Sequence, residues 1–177
     1  MKISRLSFAI MMAGSTFAIS TTPALADSGL IFNSSNNHWY QRFDTSMGWY
    51  NAKAFCEKRG GYLATITAQS ENDFISGNLV STANPGGIWL GATNDKTGAA
   101  YQWITGETWS YTNWSPGQPD NWSGAMPGGG EHYLMLVLGS GGKWNDIGSY
   151  NQGSAWGSGY YTMSTICEWG GSGSWNF

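Results

Sequence analysis

Apolar positions along the chain switch between two periods. Residues 38–43 alternate, with Trp39, Gln41 and Phe43 on one side, and this predicts a strand. Trp49, Ala52, Phe55 and Cys56 then fall at helical spacing. Thr45 or Ser46 is placed to cap that helix and Gly60-Gly61 to end it. Residues 62–66 predict a short strand. Thr67 or Ser70 can cap a second helix carrying Phe74, Ile75 and Leu79, stopped by Asn84-Pro85-Gly86-Gly87. Further strands are predicted over 88–92 and 101–104, the latter followed by a Thr105-Gly106-Glu107 turn. The pattern is irregular after Trp109. It resumes with strands over 131–138, from Trp144, and over 160–169. Two early helices and many short strands around one Gly/Pro-rich loop predict an α+β fold, not alternating βα units.

Residues 1–26 stand outside that pattern. Lys2 and Arg5 precede a mostly apolar run from Leu6 to Ile19, and Ala24-Leu25-Ala26 precedes Asp27. This is the order of a secretory signal peptide cleaved after Ala26. The run is shorter than the roughly 20 residues a membrane span needs, and no later stretch is apolar enough to cross a bilayer. One domain is expected over 27–170, with a Gly/Ser-rich tail at 171–177. The expected location is secreted or periplasmic, where disulfides persist. Cys56 and Cys167 could pair there and close a loop spanning most of the domain. Two buried free thiols are the alternative.

Composition narrows the function classes. Of 177 residues, 41% are hydrophobic and only 11% charged, the latter roughly half the usual share. Aromatics make up 15%, including 11 Trp, beside 26 Gly. That mixture suggests short elements, many loops and stacking surfaces, and argues against disorder. A net charge of −3 gives no electrostatic reason to expect nucleic acid.

The chemistry-bearing residues gather in the long loop and just beyond it. Gln118, Asp120, Glu131, Asn145 and Asp146 supply three carboxylates and two side-chain amides. Such oxygen donors suit a hard cation, and Ca²⁺ in particular, which takes about 6–8 oxygens in flexible geometry. A cis bond before Pro119 would throw the side chains of Gln118 and Asp120 to the same side. The alternative is an ordinary solvated polar loop.

Further motifs follow one another in order along the chain. They are the Cys56 helix with Gly-Gly-Tyr-Leu-Ala-Thr-Ile after it, Glu71, and Ile-Trp-Leu-Gly-Ala from Ile88 to Ala92. Trp114, Gln118-Pro119-Asp120, Glu131, Trp144-Asn145-Asp146 and Ile166-Cys167-Glu168 follow. Taken in order, these motifs resemble a C-type lectin domain, the calcium-dependent carbohydrate-recognition module; the resemblance runs from about His38 to Trp169 and implies a C-type lectin-like fold of two helices, short antiparallel strands and a long calcium-binding loop. It implies that Gln118, Asp120, Glu131, Asn145 and Asp146 hold the sugar-binding calcium, and that Cys56–Cys167 is the family's long-range disulfide. Gln-Pro-Asp is the tripeptide of galactose-type members; Glu-Pro-Asn marks mannose-type ones. Trp122, followed by Gly128-Gly129-Gly130, resembles the arrangement in which a Trp stacks on galactose; ordinary packing is its alternative.

Departures from the family pattern carry expectations too. The positions of a second disulfide are Tyr133 and Ser149, so that brace is absent. Positions that often bind an auxiliary calcium are Asn94, Gly98, Asn121 and His132, so one calcium is expected rather than two. Residues 150–161, with Trp156 and Tyr160, look like an insertion that either extends the sugar site or packs.

The resemblance implies an exported calcium-dependent lectin for glycans with terminal galactose or N-acetylgalactosamine, oligomeric if avidity is needed. The alternative is a protein-binding or adhesive domain using calcium structurally. A glycosidase on Asp120 and Glu131 is a third reading, but metal-bound carboxylates are poor proton carriers, so no enzyme is expected. Asn-x-Ser/Thr sites at Asn33, Asn113 and Asn121 suit a bacterial protein, in which they would stay bare.

Overall fold

A computed structural model describes residues 27–80, 86–94, 100–122, 130–148 and 163–170. The expected leader 1–26, the helix stop at 84–85, Gly98, Gly128-Gly129, Ser149, the insertion 150–161 and the tail 171–177 lie outside the described residues. Strands β1 (Ile31–Asn33) and β2 (His38–Phe43) precede helix α1 (Trp49–Glu57), β3 (Tyr62–Leu63) and helix α2 (Gln69–Asn78). Then come β4 (Gly87–Thr93), β5 (Gln102–Trp103), β6 (Tyr133–Leu136), β7 (Trp144–Ile147) and β8 (Met163–Gly170). All strands belong to one sheet of order β1-β2-β8-β4-β6-β7, with β3 also on β8 and β5 on β4. The α+β class therefore stands, with one correction: the sheet is mixed, because β4 and β8 pair in parallel. No helix among the described residues is long and apolar enough to cross a membrane.

β4 is central because its sequence is apolar on both faces, as a strand covered on both sides must be. Ile88, Leu90 and Ala92 enter a core with Ile75, Leu79, Trp103, Leu134 and Trp144. Trp89 points the other way, into a core with Trp49, Ala52, Leu63, Met135 and Trp169. β2 uses both faces as well. Trp39 and Phe43 share the α1 side, as alternation predicts. Fully buried Tyr40 occupies the α2 side, which alternation passes over.

The helices form as expected but start differently. Neither Thr45 nor Ser46 caps α1; its N-cap is Gly48, with no side-chain cap bond. Gly60, at φ 76°, ends α1 as its sequence suggests. The N-cap of α2 is Ala68, not Thr67 or Ser70. Glu71 compensates by reaching back: its Oε2 accepts the Thr67 backbone N–H at 2.7 Å, and its charge suits a helix N-terminus. The strand expected over 62–66 shortens to Tyr62–Leu63: after the Ala64 N–H on the Ile166 carbonyl at 2.9 Å, the Thr65 N–H donates to the Glu168 side-chain carboxylate at 2.8 Å instead of a backbone carbonyl. Cys56 and Cys167 are both fully buried and form the expected disulfide, linking α1 to β8 across 111 positions.

One buried polar network ties β2, β3, β8 and α2 together. Glu168 Oε1 accepts from His38 Nδ1 and from the Tyr62 hydroxyl (3.2 Å), and lies 3.3 Å from the Tyr40 hydroxyl. Glu71 Oε1 accepts from Tyr40 (2.5 Å) and from Asn36 (2.9 Å). The bond to Glu168 and the charges of Glu168, Glu71 and Glu107 hold the His38 imidazole above its ordinary pKa, against the opposing effect of burial. Burial also pushes the Glu168 carboxyl up, against the bonds from His38 and Thr65. The folded protein therefore holds protons that the unfolded chain would release. His38's stabilisation is complete below its unfolded pKa, about 6.5, and is lost as pH rises through the higher folded value. The thermal midpoint is expected to fall as pH climbs out of that range, and His38→Gln to flatten the dependence. Melting curves across neutral and mildly alkaline pH check this.

Candidate metal centre

The loop that leaves Trp114 is pinned before it reaches the chemistry. Trp114 bridges Trp144 in parallel, and the Ser115 N–H donates to the Trp144 carbonyl at 2.8 Å. A turn follows, closed by the Gln118 N–H on the Ser115 carbonyl at 3.0 Å. The Gln118-Pro119 bond is cis, as the sequence suggests. The chain then lies over β7. The Asp120 and Asn121 N–H groups donate to the two Asp146 carboxylate oxygens at 3.2 and 2.9 Å. Glu131 arrives from the far side of the loop, just before β6. It is placed by the His132 N–H on the Ile147 carbonyl (3.1 Å) and by the Tyr101 hydroxyl on its own carbonyl (3.2 Å).

Asp120, Glu131 and Asp146 thereby converge: one carboxylate oxygen from each lies within 4.8 Å of the others. Asp146 is fully buried, Glu131 is nearly so, and Asp120 is exposed, so the cluster has a closed floor and an open top. Three acids at this spacing resist ionising together. Burial, the charges of Asp146 and Asp120, and a bond to Asp120 push Glu131 up to about 7, while the Trp122 N–H pulls it the other way. A divalent cation would relieve that repulsion, and carboxylate oxygens suit a hard one.

The two expected amides lie beside the acids. Gln118 Oε1 accepts the Asp120 N–H at 2.9 Å, and Asn145 Nδ2 donates to the Asp146 carbonyl at 2.6 Å. Trp122 is 55% exposed, which argues against core packing. Its N–H donates to Asp120 Oδ1 at 3.2 Å. At the positions read as an auxiliary calcium site, His132 Nδ1 instead hydrogen-bonds Asn94 Oδ1 at 2.8 Å. Tyr133, where a second disulfide would begin, packs against Trp49 at 4.9 Å between ring centroids. Tyr101 was not legible as a site residue. Its role depends on a contact thirty positions away.

Two helices, a mixed sheet and a long loop raising a carboxylate cluster define a C-type lectin-like domain. The Lectin C-type domain profile matches residues 45–156, and the chain belongs to that family. Lectin BRA-3 of Megabalanus rosa is 31% identical over 124 residues, covering 69% of this chain and 74% of that protein. Mouse asialoglycoprotein receptor 2 is 33% identical over 111 residues, which is 62% of this chain but only 34% of the receptor. The human scavenger receptor C-type lectin carbohydrate-recognition domain superposes with a TM-score of 0.64 at 25% identity, covering 85% of this chain and 99% of that one. A calcium-independent type II antifreeze protein shares the fold at 21% identity, with a TM-score of 0.58 over 81% of this chain and 97% of that one. The fold alone thus fixes neither calcium nor sugar, and the site must carry the argument. Members of the family are generally non-enzymatic carbohydrate-binding proteins.

Proposed function

We propose that this protein is an exported, calcium-dependent lectin for glycans with terminal galactose or N-acetylgalactosamine. The observation that carries the reading is the convergence of Asp120, Glu131 and Asp146 beside the cis Gln118-Pro119 bond. Gln118, Asp120, Glu131, Asn145 and Asp146 would hold the calcium. When bound, that ion supplies open coordination positions for two neighbouring sugar hydroxyls. Asp120 and Glu131 would accept hydrogen bonds from those hydroxyls, and the Gln118 and Asn145 amides would donate to them. Exposed Trp122 would receive the apolar C–H face of galactose. Single sites of this kind bind weakly, so presentation in several copies would supply avidity. Export rests on the leader-like residues 1–26, and a bacterial source on the Asn-x-Ser/Thr sites.

Specificity tests the reading. Exchanging acid and amide with Gln118→Glu and Asp120→Asn keeps the charge and the donor count but changes which hydroxyl geometry satisfies every group. An unsatisfied group costs about 1–3 kcal/mol. The double variant is expected to keep calcium and to shift preference from galactose toward mannose in competition assays. Trp122→Ala should weaken galactoside binding by roughly 1–3 kcal/mol, on the aromatic-stacking scale measured for bases, and leave calcium affinity unchanged. Unaltered galactose preference in the double variant would remove Gln118 and Asp120 from the specificity role, and a wild type that binds no galactoside would favour a protein-binding role for the same loop.

A further inference from the structure

Asn121 stands next to Asp120 and between the two other acids. Its backbone is left-handed, at φ 46°, a region most side chains avoid and Asn tolerates. That conformation turns its N–H onto Asp146 Oδ2 at 2.9 Å. It also turns its side-chain oxygen across the mouth of the loop, where Oδ1 accepts the Glu131 N–H at 3.0 Å, ten positions further along. One residue thus bonds to two of the three clustered acids and adjoins the third.

The surroundings are shaped to that contact. Gly130 sits at φ 140°, and a Cβ there would lie 2.5 Å from Asn121 Oδ1 and 3.1 Å from His132 Nε2. Any side chain at 130 would force the Asn121 carboxamide or the His132 ring to shift. On the other flank His132 is held three ways: its ring by Asn94 Oδ1 (2.8 Å), its N–H by the Ile147 carbonyl (3.1 Å) and its carbonyl by the Asn94 N–H (3.1 Å). Glu131 is therefore fixed through its backbone from both sides, by Asn121 before it and His132 after it.

We infer that Asn121 is a positioning residue: it closes the neck of the loop and sets Glu131 opposite Asp120 and Asp146, without donating an oxygen to the cation itself. This rests on the calcium reading above. Hydrogen bonds to residues that bear metal ligands fix their orientation before the ion arrives, so losing one lowers affinity while every ligand stays in place.

Two substitutions separate the backbone role of Asn121 from its side-chain role. Asn121→Gly keeps the left-handed conformation at no steric cost, so the fold is retained, but removes the acceptor. Asn121→Asp keeps an acceptor at the same reach. Calcium titration calorimetry on the full chain is expected to show affinity at least about tenfold weaker for Asn121→Gly, and equal to or tighter than the wild type for Asn121→Asp. Without calcium, exchange of the Glu131 amide hydrogen should speed up in the Gly variant and stay slow in the Asp variant. Wild-type calcium affinity in Asn121→Gly would overturn this inference alone, reducing Asn121 to a turn residue. A wild-type chain that takes up no calcium would overturn both the inference and the functional reading beneath it.

Discussion

Asp146→Ala is expected to abolish the rise in thermal midpoint that calcium produces, and to lower the midpoint without calcium as well. The two effects have different causes. Asp146 is fully buried and its oxygens receive the N–H groups of Asp120 and Asn121. Deleting the carboxylate leaves the Asn121 N–H without its acceptor, at up to about 1–3 kcal/mol for an unsatisfied group, while the Asp120 N–H keeps Gln118 Oε1 at 2.9 Å. Losing a ligand from the floor of the cluster also removes stabilisation by mass action, which is about 2.7 kcal/mol at a ligand concentration of 100 Kd. Asp146→Asn isolates the second effect. It keeps one acceptor oxygen, enough for the Asn121 N–H, leaves the Asp120 N–H to Gln118 Oε1, and relieves Glu131 of a neighbouring charge, so its calcium-free midpoint should lie closer to the wild type than that of Asp146→Ala. Its calcium shift should be largely lost. Scanning calorimetry with saturating calcium and with chelator reads both quantities, and a full calcium shift in either variant would remove Asp146 from the ligand set.

The second large effect is expected from the disulfide. Cys56–Cys167 joins α1 to β8 across 111 positions, and both sulfurs are in the core. In the chain-entropy picture a loop of that length contributes about 4–5 kcal/mol by constraining the unfolded chain, and removing a native disulfide from a small domain typically costs about 2–5 kcal/mol. Replacing both cysteines with Ala should lower the urea midpoint accordingly, with the calcium contribution still present on top because the loop cluster is untouched. A midpoint unchanged between the oxidised wild type and the double variant would contradict this.

How much was legible in the sequence follows from how local each signal is. The apolar run around Ile88–Ala92, the helical spacing of Trp49, Ala52 and Cys56, and the Gly60 stop are local patterns, and the structure forms each where expected. The caps differ from the sequence reading because Gly48 starts α1 with no side-chain cap bond, and Glu71 rather than Thr67 or Ser70 supplies the side-chain acceptor at the start of α2. Edge strand β1 was not anticipated, since three residues carry no period. Tyr40 was missed as a core residue because its hydroxyl is satisfied by Glu71, a partner 31 positions away. The three acids are separated widely in the chain, and donor composition alone does not bring them together; the ordered family motifs did. In the sequence Asn121 reads as an Asn-x-Ser/Thr site expected to stay bare and as part of a missing auxiliary site. Its neck-closing bond depends on a left-handed backbone and a facing glycine, which appear only once the loop is folded.

The central claim is that the acid cluster holds calcium and that the calcium presents galactose-type sugars. The most direct measurement is a glycan array probed with the purified protein in calcium, in chelator, and after calcium is restored. Binding to glycans with terminal galactose or N-acetylgalactosamine that disappears in chelator and returns with calcium is the predicted result. Glycan binding that persists unchanged in chelator, or calcium uptake with no galactoside bound, would contradict it.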